Sequence, residues 1–138
     1  MKTHIHRVSI EWGHCDPARI VFYPRYFEWI DEATRHLFES VGLAWKTLFD
    51  RYGVVGCPIT EAKCNFLSPS RFGDIIEIES GVKEWRDKGF TVGHRIVNAG
   101  KLAVEGHEQR VWVIQHPDDP KRLKPVPVPA EVRAALAG

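Results

Sequence analysis

The segment from Pro24 to Gly42 constrains this chain more than any other. Tyr26, Phe27, Ile30, Ala33, Thr34, Leu37, Phe38 and Val41 recur mostly three and four apart. That period places them on one stripe of an α-helix. Arg25, Glu28, Glu32, Arg35, His36 and Glu39 fall on the other side. Pro24 suits the first helical position, where a missing N–H costs nothing, and Gly42 suits a left-handed stop just beyond the end. The spacing predicts an amphipathic helix of about five turns. Its stripe needs a second apolar surface to bury it.

The rest of the chain supplies strands. Val8, Ile10 and Trp12 alternate with Ser9 and Glu11, as in a half-buried strand, and Gly13 to Pro17 break the pattern. A shorter helical piece around 44–51 ends at Gly53. Residues 54–66 read as a strand interrupted by Gly56 and Pro58, which places its start at an edge or bulge. Ile76, Ile78, Ser80 and Val82 alternate with Glu77 and Glu79. Phe90, Val92, His94 and Ile96 do the same after the turn at Arg86–Gly89, and Asn98–Lys101 make the next turn. Leu102–Gln115 reads as one long strand bent at Gly106. The tail from Pro117, with Pro120, Pro125, Pro127 and Pro129, is predicted to run extended over the surface, with a short helix at Ala130–Ala137.

Strand, long helix and a meander of four strands predict a single α+β domain over residues 1–138, one antiparallel sheet wrapped on one helix. A sheet with two free edges favours pairing of copies through an edge. Hydrophobic residues are 43%, charged residues 27% and the net charge is +1, which fits a soluble globular chain. That balance gives no reason to expect nucleic acid, so any anion site must be a local cluster. No apolar run approaches membrane-spanning length, and the N-terminus lacks the apolar core of a signal peptide, so a cytoplasmic location is expected. Cys15, Cys57 and Cys64 form no Cys-x-x-Cys pair, which argues against a disulfide framework and a structural zinc site.

His14, Cys15 and Asp16 stand side by side ahead of the helix. A nucleophilic Cys15 would need a base. Only His14 is local, and adjacent side chains in an extended turn point apart. His4 and His6 share a strand face and could pair on a metal, but no further ligand has suitable spacing, so surface or satisfied histidines are the preferred reading. Asp16 lies just upstream of a helix start that presents unpaired N–H groups and partial positive charge. Pro24 has no N–H, so the Tyr23 N–H is the candidate donor at the tip. A carboxylate beside such a donor is the minimum kit for acyl transfer. The competing reading, that Asp16-Pro17 simply makes an Asx turn, is favoured by spacing alone. Asp31 falls at the edge of the apolar stripe and needs a partner or a purpose, with Arg35 placed for an ion pair. Lys83, Arg86 and Lys88 flank the hairpin turn. They make either a phosphate site or a solvated tip neutralised by Glu84 and Asp87.

The stretch "HCDPARIVFYPRYFEWIDEATRHLFESVGL" resembles the Asp-x-Asp-Pro-Ala-Gly-Ile-Val-aromatic-Tyr-Pro-x-Tyr motif of the 4-hydroxybenzoyl-CoA thioesterases, a family of the hotdog-fold acyl-CoA thioesterases. "GVVGCPI" (53–59) and "VKEWRDKGF" (82–90) continue the resemblance over nearly the whole chain. It implies a hotdog fold, one long helix wrapped by a five- to six-stranded antiparallel sheet, paired into homodimers or into a dimer-of-dimers homotetramer. It implies hydrolysis of an aromatic acyl-CoA such as 4-hydroxybenzoyl-CoA, with no metal or redox cofactor; coenzyme A belongs to the substrate. The family's carboxylate matches Asp16, as nucleophile or general base, and its oxyanion donor matches the Tyr23 N–H. The acid that meets the substrate hydroxyl matches Asp31. Cys57 and Pro58 fall on the segment near the acyl pocket, and Arg86 and Lys88 match the residues that hold the CoA phosphates. The chain departs from the motif in having His14 for its first Asp, Arg19 for its Gly, Asp87 for an Arg and Cys57 for a Thr. The alternative is a non-catalytic acyl-CoA-binding or dehydratase-like hotdog. The dehydratase reading wants a catalytic His that the helix-start motif lacks.

Overall fold

A computed structural model describes all residues, Met1–Gly138. Strand β1 (Thr3–Ser9) is followed by a short 3-10 turn at Trp12–His14, helix α1 (Pro24–Ser40) and helix α2 (Trp45–Tyr52). Then come β2 (Ile59–Phe66), β3 (Ile75–Arg86), β4 (Gly89–Asn98), β5 (Lys101–Val111), β6 (Val113–Gln115), β7 (Leu123–Pro125) and α3 (Ala130–Ala137). Strands β1 to β5 form one antiparallel sheet in the order β1-β3-β4-β5-β2, while β6 and β7 pair separately. The α+β hotdog architecture expected above is present, with two shorter helices added to the long one.

Helix α1 begins at Pro24, and Gly42 beyond its end takes a φ of +80°. It buries Tyr26, Trp29, Ile30, Ala33, Thr34, Leu37 and Phe38 against the inward-facing residues of the sheet; relative to the expected stripe Trp29 is added, and Phe27 and Val41 are only half-buried. The strand alternation supplies that surface: Ile76, Ile78, Phe90, Val92 and Ile96 are all buried. Both hairpin turns form where expected, between Arg86 and Gly89 and between Asn98 and Lys101.

Three expectations are corrected. The alternation through Trp12 does not extend the first strand. Ile10 exchanges backbone hydrogen bonds with Asp74 and Gly73 at the sheet's end, and Trp12 turns out into solvent on the 3-10 turn. The long last strand keeps its pairing on both sides through Gly106 but ends at Val111. A Cβ there would meet the Lys63 carbonyl at 2.5 Å, so the glycine serves close approach of β2. The break comes at Trp112, whose N–H donates to Lys88 and whose carbonyl accepts from Val126, handing the strand from the sheet to the tail. The tail itself is partly inside: Leu123–Pro125 pairs with β6, and Val128, Val132 and Leu136 are buried.

The apolar core has two clusters. One gathers Ile10, Tyr26, Ile30, Ile76, Ile96 and their neighbours, and the other Leu37, Phe38, Phe90, Trp112, Val132 and theirs. Thr34, Ser80, His94, Glu108 and Arg110 are buried polar residues that lie along α1, β3, β4 and β5 between residues of the two clusters.

Candidate active site

The loop before α1 is a miniature hairpin. Phe22 N–H donates to the His14 carbonyl at 2.9 Å, Cys15 bridges Val21, and Asp16 N–H donates to Ile20 at 3.0 Å. Arg19 N–H closes the turn on the Asp16 carbonyl at 2.8 Å, and Ala18 N–H donates to Asp16 Oδ1 at 2.8 Å. The Asx turn read from Asp16-Pro17 is therefore real, and it holds the carboxylate while leaving most of its lone pairs open. Arg19 sits at φ +66°, the left-handed region in which a glycine is unstrained. The turn thus has the backbone shape of the motif glycine without the glycine.

The hairpin leads directly into α1, with His14 paired to Phe22 beside the helix start and Asp16 at the turn opposite Ile20. Tyr23 caps the helix with its own backbone, its carbonyl accepting from Tyr26 N–H at 3.1 Å. The Tyr23 N–H itself donates to no group of the protein. The helix end therefore offers one unused donor at the tip. An apolar cleft of about 330 Å³ opens here, lined by Ile20, Tyr23, Tyr26, Phe66 and Leu67. A larger cleft of about 680 Å³ is lined by Asp16 with Trp12, Arg19, Arg71 and Phe72.

His14 and Cys15 are accounted for as structure. His14 Nδ1 accepts from Glu11 N–H at 2.8 Å and its ring lies edge-on to Trp29. Cys15 packs against the core around Tyr26 and Ile30. All three cysteines are free thiols. Burial pushes the Cys57 thiol up to about 12 and the Cys64 thiol up to about 11, so neither is an available nucleophile at neutral pH. His6 and His36 stack face to face with ring centroids 4.0 Å apart, and His4 stacks more distantly on His36. Stacked rings direct their nitrogen lone pairs along parallel planes and do not converge on one ion. No group of His, Cys, Asp and Glu residues in the structure is arranged to hold a metal.

Asp31 is not paired with Arg35, which instead holds Glu32 and Glu39. Its partner is Arg110 of β5, whose Nη2 lies 2.5 Å from Asp31 Oδ1. Arg110 also donates to Glu108 Oε2 at 3.1 Å and to the Cys57 carbonyl at 3.0 Å, and its guanidinium lies over Trp45. Glu108 is fully buried and accepts from Thr34 Oγ1 at 2.5 Å, and its Oε1 lies 3.1 Å from His94 Nε2. His94 Nδ1 lies 2.7 Å from Ser80 Oγ. Burial alone would raise the Glu108 carboxyl, but His94, Arg110 and Thr34 more than offset it and hold it below the ordinary value. This buried layer was missed at the level of sequence. The one signal for it was polar residues at inward positions of otherwise apolar alternations: Ser80, His94, Glu108 and Arg110.

The hairpin tip lies far from Asp16. The carboxylate's loop hangs at the start of β3, where Ile75 pairs with Ser9 and Ile10 bonds Asp74. Arg86 ends the same strand. Eleven residue steps at about 3.3 Å separate the two ends by up to roughly 35 Å. Arg86 is engaged with Thr91 Oγ1 at 2.9 Å and with Glu84 at 3.4 Å, while Lys88 is exposed. Arg133 of α3 donates to the carbonyls of Arg86 and Asp87 and lies over Trp85, so the tip is braced by the C-terminal helix. Cys57 is buried and touches the Asp31 end through its carbonyl; Pro58 is exposed, its carbonyl accepting from Val111.

A family model described as the thioesterase-like superfamily matches residues 10–136. The chain belongs to that superfamily. Within it, the 4-hydroxybenzoyl-CoA thioesterase of Pseudomonas sp. strain CBS-3 is 35% identical over 128 residues, 88% of this chain and 89% of that one. The solved structure of the Pseudomonas thioesterase superposes with a TM-score of 0.90 at 33% identity, covering 98% of this chain and 99% of the other. A gentisyl-coenzyme A thioesterase superposes with a TM-score of 0.83 at 34% identity, covering 98% and 100%. This places the chain in the 4-hydroxybenzoyl-CoA thioesterase family, a class of thioester hydrolases, and the hotdog architecture is common to all three.

Proposed function

We propose that the chain hydrolyses aromatic acyl-CoA thioesters, with Asp16 as the reacting carboxylate and the Tyr23 N–H as oxyanion donor. The observation that supports this reading is the unused Tyr23 N–H at a helix start entered directly from the hairpin of residues 14–22, whose turn holds Asp16 with its carboxylate largely open. The thioester carbonyl accepts from Tyr23 N–H, so the negative charge that grows on its oxygen is met by a fixed donor and the positive end of α1. Asp16 then either attacks the carbonyl carbon, expelling the CoA thiolate and leaving an anhydride for water to cleave, or takes a proton from the water that attacks. Neither route calls for a metal or redox cofactor.

Asp31 supports an aryl acyl group with a distal hydroxyl. It lies eight residues beyond Tyr23 on α1, about 12 Å along the axis. A para-hydroxybenzoyl unit of about 6 Å, with a hydrogen bond of about 3 Å at each end, has a matching length. Arg110 holds the Asp31 carboxylate as an acceptor, and both named relatives carry aromatic acyl groups in their names. Cys57, through its contact with Arg110, and Pro58 beside it border that end.

Arg86 and Lys88 reach the same site only from a second copy. Joining two sheets antiparallel through the unpaired edge of β2 brings the far end of one chain beside the near end of the other. Strand β2 is exposed except at Cys64. A homodimer, or a pair of dimers, is thus part of the reading. Asp16→Asn should abolish nearly all thiol release from 4-hydroxybenzoyl-CoA while the CoA ester still binds. Turnover at the wild-type rate would remove Asp16 from the chemistry. A wild-type chain that binds acyl-CoA without releasing thiol would be an acyl-CoA-binding hotdog instead.

A further inference from the structure

Eight of the eleven arginines hold a carboxylate or a backbone carbonyl. Arg19, Arg71 and Arg122 hold neither. Two of these three, Arg19 and Arg71, line one cleft, and that cleft contains Asp16. The acids nearest in sequence form no ion pair with either, although the Asn98 amide and, after it, the Arg71 N–H and charge help hold the Asp74 carboxyl below its ordinary value. Asp16 is held by Ala18 N–H, and Asp74 Oδ2 accepts Arg71's own backbone N–H and the Asn98 amide, each at 2.9 Å.

Two aromatics complete the cleft. Trp12 is 74% exposed and Phe72 57%, and they meet edge to face with centroids 5.6 Å apart. Both are fixed by backbone: Trp12 by its 3-10 turn, Phe72 by the Gly73 N–H on the Ile10 carbonyl. Keeping a large indole in water costs free energy that a ligand stacked on it would recover. Arg19 adds a third observation. Its backbone is in the left-handed region, where an arginine costs about 1 kcal/mol or more over glycine. Strain retained at a site lining a cleft points to a use for the side chain. Unpaired guanidiniums beside exposed aromatic faces match a ligand that carries phosphates and a flat heteroaromatic base, and a cleft of about 680 Å³ is of ligand size.

We propose that Arg19 and Arg71, framed by Trp12 and Phe72, bind the phosphate-bearing nucleotide end of the CoA thioester in the same chain that supplies Asp16. The inference rests on the thioesterase reading above and adds a second anchor to the hairpin of a partner copy. Relative to the motif the chain resembles, a glycine has become Arg19 and an arginine has become Asp87. Positive charge has thus been gained at the carboxylate's cleft and lost at the hairpin.

Calorimetric binding of CoA and of 3′-dephospho-CoA to the full chain tests this without turnover, with Arg19→Gly and Arg71→Ala as the variants. The glycine suits the backbone at position 19 and residue 71 is exposed, so both should fold, which circular dichroism verifies. Each variant should bind CoA about tenfold more weakly, as for a lost charge-assisted hydrogen bond, with a flatter dependence on salt. The loss of thiol release should be smaller on the aryl thioester of N-acetylcysteamine, which has no phosphate, than on the CoA ester. CoA affinity equal to wild type in both variants overturns the proposal while leaving the thioesterase reading intact. An equal loss on the phosphate-free thioester also overturns it, since the arginines would then serve the acyl group. Failure of the wild type to release thiol from any CoA ester would instead defeat the thioesterase reading itself.

Discussion

At the scale of single residues, the molecule keeps one costly arrangement inside. Glu108 and Arg110 are charged and buried, and each is satisfied only because the other, with Thr34, His94 and Asp31, is present. Such a layer gives little net stability over an apolar one, but removing one member leaves an uncompensated charge. Arg110→Met should therefore lower the unfolding free energy by about 3 kcal/mol, as measured by urea denaturation. Adding Glu108→Gln should recover part of it, because the stranded charge is then removed. A loss no larger than that of an exposed arginine would show that Glu108 finds another partner. Arg110 also explains why Asp31 can stand at the end of an apolar stripe: its charge is matched from across the core by a residue 79 positions away.

At the scale of elements, β1 is clamped to α1 by imidazoles. His6 and His36 stack at 4.0 Å, with His4 on the same side. Burial and the neighbouring His36 lower the pKa of both His4 and His6, with Arg35 adding to the effect on His6 and Glu32 opposing it. Glu39 also faces His36, 4.0 Å from its Nδ1. A histidine whose folded pKa is depressed binds fewer protons folded than unfolded, so its contribution is intact above the unfolded value of about 6.5 and is lost as pH falls below it. The urea midpoint should thus fall between pH 7.5 and pH 5.5, and His36→Gln should reduce that fall. An identical pH dependence in the variant would place the titration elsewhere. The elements were largely legible in the sequence. The period of three and four, with Pro24 and Gly42 at its ends, gave α1, and alternation gave β3 and β4. The exceptions have local causes. Trp12 continued an alternation that the pairing of Ile10 with Asp74 and Gly73 ends, and Gly106 is a place where β2 comes close.

At the scale of the whole molecule, one chain holds two halves of the expected machinery at opposite ends of its sheet. Asp16 and Tyr23 lie at one end, Arg86 and Lys88 at the other, and β2 runs exposed and unpaired along an edge. Light scattering on the purified chain should give at least twice the single-chain mass under assay conditions. A monomer with full turnover would show that the hairpin basic residues take no part.

The sequence alone determined the local things: where the long helix starts and stops, which residues alternate into strands, where hairpins turn, and that a helix start follows Asp16. Each of these depends on neighbours a few positions apart, and period, proline and glycine report on such neighbours directly. The tertiary structure alone decided who meets whom across the fold. It gave Asp31 to Arg110 rather than Arg35, joined Ser80, His94, Glu108 and Thr34 into one buried layer, and set Arg19 and Arg71 around the same cleft as Asp16. Those pairings depend on strand register and on how α1 lies over the sheet. A one-residue slip in register would turn every one of the sheet's polar partners to the other face, and local composition does not encode which register wins.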